Sequence, residues 1–165
     1  MTARQFSIVV PLVWVFAAHA VPADAQTSSA TLNVTIAPLA RLSVSANAVT
    51  FPDADPDVIP QVPAVGGDLA ITAKSRVTPG SVVLLTVQAT DDLRSGVDLI
   101  PVSALSWTAS GVGFVAGTLG TGPVTLASWS TSGVRSGTQA WSFRNLWTYA
   151  TGTYSASIVY TLSAP

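Results

Sequence analysis

The chain has 165 residues, no cysteine, one histidine and a formal net charge of −1, and only 9% of it is charged against the ~25% of an average soluble protein. That length is enough for one domain with a real core, and the missing cysteines leave burial and strand pairing, not disulfides, to hold it together. Neither sign of charge is concentrated enough to recruit nucleic acid or an anionic membrane surface.

Residues 1–25 read as a signal peptide that is cleaved off. Arg4 gives a small positive start, Phe6 to Val21 is largely apolar, and Ala23-Asp-Ala25 has the small-x-small pattern that precedes a cleavage site. Pro11 and His19 interrupt the apolar run, and it is shorter than the ~20 residues a membrane span prefers. The expected product, residues 26–165, has no membrane span and contains no His, Cys or Glu; its six Lys and Arg face seven Asp.

After a polar lead, Thr31 to Ile36 alternates with Leu32, Val34 and Ile36 on one face until Pro38 breaks it. Arg41 to Ser45 resumes with Leu42 and Val44 inward, and Val49 and Phe51 continue the apolar set. Pro52, Pro56, Pro60, Pro63 and Gly66-Gly67 predict an ordered proline-rich loop over 52–67, crossing between sheets. Leu69, Ile71 and Ala73 alternate up to the Thr78-Pro-Gly80 turn. Ser81 to Thr90 is the most hydrophobic segment, with Val83, Leu85, Val87 and Ala89 on one face and Val82 and Leu84 on the other, which predicts cover on both sides of its first half. Asp91 to Gly96 is a turn by composition, and Val97 to Pro101 a short edge or connection.

Further strands are predicted around Leu105, Trp107 and Ala109, over Val124 to Trp129, and over Ala140 to Trp147, with turns at Ser132-Gly133, Gly137 and Ala150 to Gly152. The last segment, Gly152 to Pro165, reads as one long strand with Tyr154, Ala156, Ile158, Tyr160 and Leu162 on one face and hydroxyls on the other; Val159 is the bulky exception. Eight or nine short strands without a helical period predict an all-β fold, a single antiparallel β-sandwich of immunoglobulin-like or jelly-roll-like form, with a closed barrel as the alternative. Hydroxyls in place of charge suit an extracellular or assembled structural surface.

The residue types left after cleavage argue against catalysis. Without His, Cys or Glu the common general bases, thiol nucleophiles and zinc ligand sets cannot be assembled, so no enzymatic activity, catalytic residue, metal or cofactor is expected. Lys74 and Ser75 are neighbours in a strand and point to opposite faces. Asp53-x-Asp-x-Asp57 has the spacing of a hard-cation loop, but Pro52 and Pro56 stiffen it and no terminal Glu follows, which favours plain solvation; Asp91-Asp92 reads as turn chemistry. The aromatic mass lies in the second half. Trp107 and Trp141 fall within alternating strands and are expected in the core, whereas Trp147 and Tyr149, with Trp129, are the candidates for an exposed glycan-stacking surface. The uncharged Thr31 to Ile36 segment is either the first strand of its own domain or a strand for another subunit, as in pilins assembled by strand donation.

The ending Tyr154-Ser-Ala-Ser-Ile-Val-Tyr-Thr-Leu-Ser-Ala-Pro165 and the earlier Trp107-Thr-Ala109 resemble the WxL-domain type of bacterial surface protein. Tyr160 stands where that family has a tryptophan, and Ala109 where it has a leucine. The resemblance implies non-covalent attachment to peptidoglycan. Fimbrial subunits share the ending style of Gly-x-Tyr followed by a long alternating strand, and many carry a disulfide that this chain lacks. The expectation is an exported, non-catalytic structural or adhesive protein at the cell surface, in the periplasm or outside the cell, with a cell-wall polymer, other surface subunits or itself as partner; the alternative is a soluble carbohydrate-binding module.

Overall fold

The computed structural model describes residues 30–165, so the expected signal peptide, 1–25, lies outside the described residues. The described strands all belong to one compact unit, Thr35–Pro165.

That unit is all-β, with antiparallel sheets packed together as a sandwich and one short 3-10 turn at Val102–Ala104. One sheet runs β1 (Leu39–Val44), β3 (Leu69–Arg76), β10 (Gly133–Arg144), β7 (Leu105–Ser110) and β8 (Gly117–Thr118), with β2 (Gln61–Pro63) pairing the end of β10. The other runs β11 (Ile158–Ser163), β4 (Val83–Ala89) and β9 (Val124–Trp129). A hairpin of β5 (Leu93–Ser95) and β6 (Asp98–Ile100) turns through Gly96 at φ 61°, a conformation that favours glycine. Eleven strands stand where eight or nine were expected. The surplus is two- and three-residue pairings inside segments whose composition signals turns, including β2 within the 52–67 loop.

The two-residue period sorts side chains as expected. Leu69, Ile71 and Ala73 of β3 and Val83, Leu85, Val87 and Ala89 of β4 are buried, and together with Leu105, Trp107, Leu119, Leu126 and Trp141 they form one core. Truncating a side chain as enclosed as Leu85 costs about 2–5 kcal/mol in such a core. On β9 the consecutive Leu126 and Ala127 are both buried because the register against β4 shifts between Leu85 and Thr86, a bulge that turns two neighbours to one side. Trp107 and Trp141 are direct cross-strand partners with ring centroids 5.1 Å apart. Facing hydroxyls couple cross-strand pairs of the first sheet: Thr72 with Ser136 (3.4 Å), Ser106 with Ser142 (3.0 Å) and Ser110 with Thr138 (2.7 Å).

Four segments depart from expectation. Thr31 to Ile36 joins no ladder among the described residues, and Leu32, Val34 and Ile36 are exposed. Only Ala37 and Pro38 separate it from β1; Pro38 excludes a type I′ turn and Ala37 disfavours the positive φ that a type II′ turn needs, so this dipeptide is a poor two-residue fold-back onto β1. The last strand starts at Ile158, not after Gly152, because the stretch before it bonds elsewhere: Ser155 exchanges both backbone hydrogen bonds with Arg94, and the Ser157 carbonyl accepts from Thr90 N–H. The predicted turns at Gly133 and Gly137 are instead the first half of β10. A Cβ on Gly137 would collide with the Ser110 carbonyl and the Phe114 ring, so glycine here makes room for packing and does not break the strand. Val82 is exposed and Leu84 half-buried, so the first half of the β4 segment is not covered on its second face.

Two hydrogen bonds join the sheets through the core, one from Trp129 on β9 to Ser75 on β3 and one from Tyr160 on β11 to Gln139 on β10. The Tyr160 hydroxyl on β11 donates to Oε1 of the fully buried Gln139 on β10 at 2.7 Å. Burial pushes the Tyr160 phenol up to about 12 against a small opposing pull from Trp141. The folded state therefore holds this proton more tightly than the unfolded chain, whose phenol titrates at its ordinary value of 10.0. The stability it contributes is full below pH 10.0 and falls as the pH rises toward about 12. Denaturant titrations across that window are expected to show a fall in stability that is reduced in Tyr160→Phe. A second expectation concerns Gly117, which lies flat under Trp107: an added Cβ would sit 2.5 Å from the ring, so Gly117→Ala is expected to cost about 1–3 kcal/mol in the same assay.

Candidate functional site

The proline-rich loop and the turn after β10 meet at one corner, brought there by the pairing of β2 with the end of β10. Asn145 is the tether: its backbone N–H donates to the Pro60 carbonyl (3.0 Å) and its side-chain amide to the Ala54 carbonyl (2.7 Å). Two residues on, the Trp147 indole N–H donates to Asp57 Oδ1 at 3.0 Å, although the ring is 69% exposed. Asp55 Oδ1 accepts from the Asp57 N–H (2.9 Å), an Asx turn that sets the direction of the Asp57 side chain. Tyr149 closes the turn through its N–H to the Leu146 carbonyl (3.2 Å), and its half-buried ring packs on Phe143 with centroids 5.8 Å apart.

The three aromatic candidates thus separate. Trp147 presents a ring to solvent, Tyr149 supports the turn beneath it, and Trp129 is a core residue at 9% exposure whose Nε1 donates to Ser75 Oγ (3.1 Å). Trp129 is no part of a surface, because β9 turns it into the sandwich with Leu126 and Ala127. Its bond also occupies Ser75, which is buried while Lys74 beside it is exposed, so the two do not face a common site.

The acidic turns are used locally. Asp91 Oδ2 pairs with Arg94 Nε at 2.9 Å, which holds the Asp91 carboxyl below the usual carboxylate range, and Asp92 Oδ1 accepts from the Val102 N–H (2.9 Å). Among the described residues no three His, Cys, Asp or Glu side chains converge as a metal would need, and Asp53, Asp55 and Asp57 are not drawn together. What the sequence did not reveal is that Asp57 partners Trp147: the two are 90 positions apart, and only the β2–β10 pairing makes them neighbours.

A second feature lies at the edges. β11 is the outer strand of its sheet and has no charged residue, and β1, the outer strand of the other sheet, approaches it. Its inward side chains Ile158, Tyr160 and Leu162 are only half-buried. Thr31 to Ile36 has the same length as β11, six residues, the same lack of charge, and an exposed apolar row.

No family model matches the chain, and no curated protein matches it. Acrylamide quenching should separate the tryptophans: Trp147→Phe is expected to remove the most quenchable emission and change stability by less than about 0.5 kcal/mol beyond its lost hydrogen bond, whereas Trp129→Ala is expected to cost about 3–5 kcal/mol.

Proposed function

We propose that this protein is an exported, non-catalytic structural or adhesive component of a bacterial cell surface or envelope, acting through attachment to the wall or to other subunits, with subunit association as its main mode. One observation carries the reading: an uncharged, alternating apolar segment, Thr31 to Ile36, stands exposed outside every described ladder, while the uncharged β11 has one edge unpaired among the described residues. Such an edge is a template for another chain unless charge, proline or a bulge blunts it, and β11 carries none of these. A strand added beside β11 gains backbone hydrogen bonds, and the alternation of Leu32, Val34 and Ile36 directs one row of side chains toward the half-buried Ile158, Tyr160 and Leu162.

Composition agrees with this use. A surface with so few charges relies little on charge repulsion for solubility, which suits a protein that spends its life in an assembly. The WxL-like ending, with Tyr160 in the tryptophan position, agrees with a wall-associated setting.

Sedimentation of the purified protein over a concentration series tests the reading. Concentration-dependent oligomers are expected, and Leu32→Asp with Val34→Asp is expected to weaken association at least tenfold with an unchanged melting temperature. A wild-type protein that stays monomeric at high concentration, or a double variant that associates equally well, overturns it.

A further inference from the structure

Trp147 is exposed and yet fixed, a combination that subunit association does not use. Its indole N–H is held by Asp57, and the turn that carries it is tied to the proline-rich loop by both bonds of Asn145. A turn serving only as a connection needs no large apolar ring in water, let alone one whose direction is set by a carboxylate from a distant segment. Val58 and Leu146, the chain neighbours of Asp57 and Trp147, are exposed as well. The result is an exposed aromatic platform with the Asp57 carboxylate at its edge. Asp57 Oδ2 has no hydrogen-bond partner among the described residues.

We propose that this corner is a binding platform for a neutral polysaccharide of pyranose units, independent of the subunit association above. A pyranose ring has a face of C–H groups and a rim of hydroxyls. The C–H face stacks on the flat indole, and a hydroxyl donates to the unused Oδ2 of Asp57 at its edge. Because the indole N–H is already engaged by Asp57, the ring enters binding in a fixed orientation and loses little freedom when a sugar covers it. The carboxylate border selects against phosphates, uronic acids and anionic lipid headgroups, all of which would place like charges together. An open platform also suits a polymer, which covers several side chains at once, better than a small molecule, whose binding generally needs a concave pocket.

Retention of the purified protein on insoluble polysaccharides tests this, with cellulose and chitin as the neutral probes and crosslinked alginate as the anionic one. Wild-type protein is expected to be retained on at least one neutral polymer and released from alginate; the two neutral arms distinguish a glucose from an N-acetylglucosamine polymer. Trp147→Ala is expected to weaken retention at least tenfold, Trp147→Phe to keep most of it, and Asp57→Asn to fall between them. Val34→Asp is expected to leave retention unchanged, so this result and the association result fail separately. No retention on either neutral polymer, preference for alginate, or equal retention of Trp147→Ala in a protein with unchanged near-ultraviolet dichroism overturns the proposal.

Discussion

The structure depends on β10 and on what its inward face holds. The strand is twelve residues long and pairs with β2, β3 and β7, so it organises the larger sheet by itself. Through Gln139 it also reaches the other sheet, because the amide oxygen accepts the Tyr160 hydroxyl in a volume otherwise filled by apolar side chains. A polar group placed there is expensive unless paired: an unsatisfied buried donor costs about 1–3 kcal/mol, and Gln139 Nε2 and Trp141 Nε1 have no partner among the described residues. What the arrangement gives in return is register. Sliding β11 by one residue would point Tyr160 outward and Val159 inward, losing the hydrogen bond to the buried amide oxygen. An edge strand with three half-buried side chains and one neighbouring strand is weakly specified by hydrophobicity alone, so one directional bond counts for much.

Alternation was enough to place most strands, since β3 and β4 bury every second side chain, β7 does so over its first half, and the period of two is visible in their residues. It failed where an alternating pattern has no neighbour or a non-alternating one does. Thr31 to Ile36 alternates as cleanly as β3, but periodicity reports fitness for a sheet and does not supply the partner; Ala37 and Pro38 then disfavour the shortest route back. Gly133 to Gly137 reads as turn chemistry because glycine usually marks backbone freedom. In the fold, Gly137 serves the opposite purpose, giving up its side chain so that Phe114 and the β7 backbone can approach. Leu126 and Ala127 hide a bulge that only the paired strand makes visible.

The candidate site was legible in the same partial way. Trp147 stood out because it sits at the end of the predicted strand, beyond which β10 in fact stops at Arg144, whereas Trp107 and Trp141 lie within strands, and that distinction is physical: a residue inside a strand has a face to be buried on. Trp129 closes a strand whose bulge reverses simple parity, so its burial could not be read from spacing. The partnership of Trp147 with Asp57 needs two segments far apart in the chain to meet, and nothing local encodes it. The aspartate spacing that suggested a cation loop is explained by a different use, in which Asp55 orients the Asp57 backbone and Asp57 orients an indole.

The two surfaces follow from one economy of charge. With few charged residues to distribute, the chain keeps them off the β11 edge and gathers carboxylates in loops, at the Trp147 corner and at the β5–β6 hairpin. An uncharged edge favours backbone pairing, which is indifferent to sequence and therefore needs length and shape to be selective; six alternating residues provide both. A carboxylate-bordered aromatic favours uncharged, hydroxyl-rich ligands and disfavours the anionic ones. The edge belongs to the sheet of β4 and the corner to the end of β10 in the other sheet, so the two are built on separate elements and one can change without rebuilding the other. The core between them has only to stay rigid. Its close-packed tryptophans and the Gln139–Tyr160 bond supply that rigidity without a disulfide, in a unit, Thr35–Pro165, large enough to be held by burial.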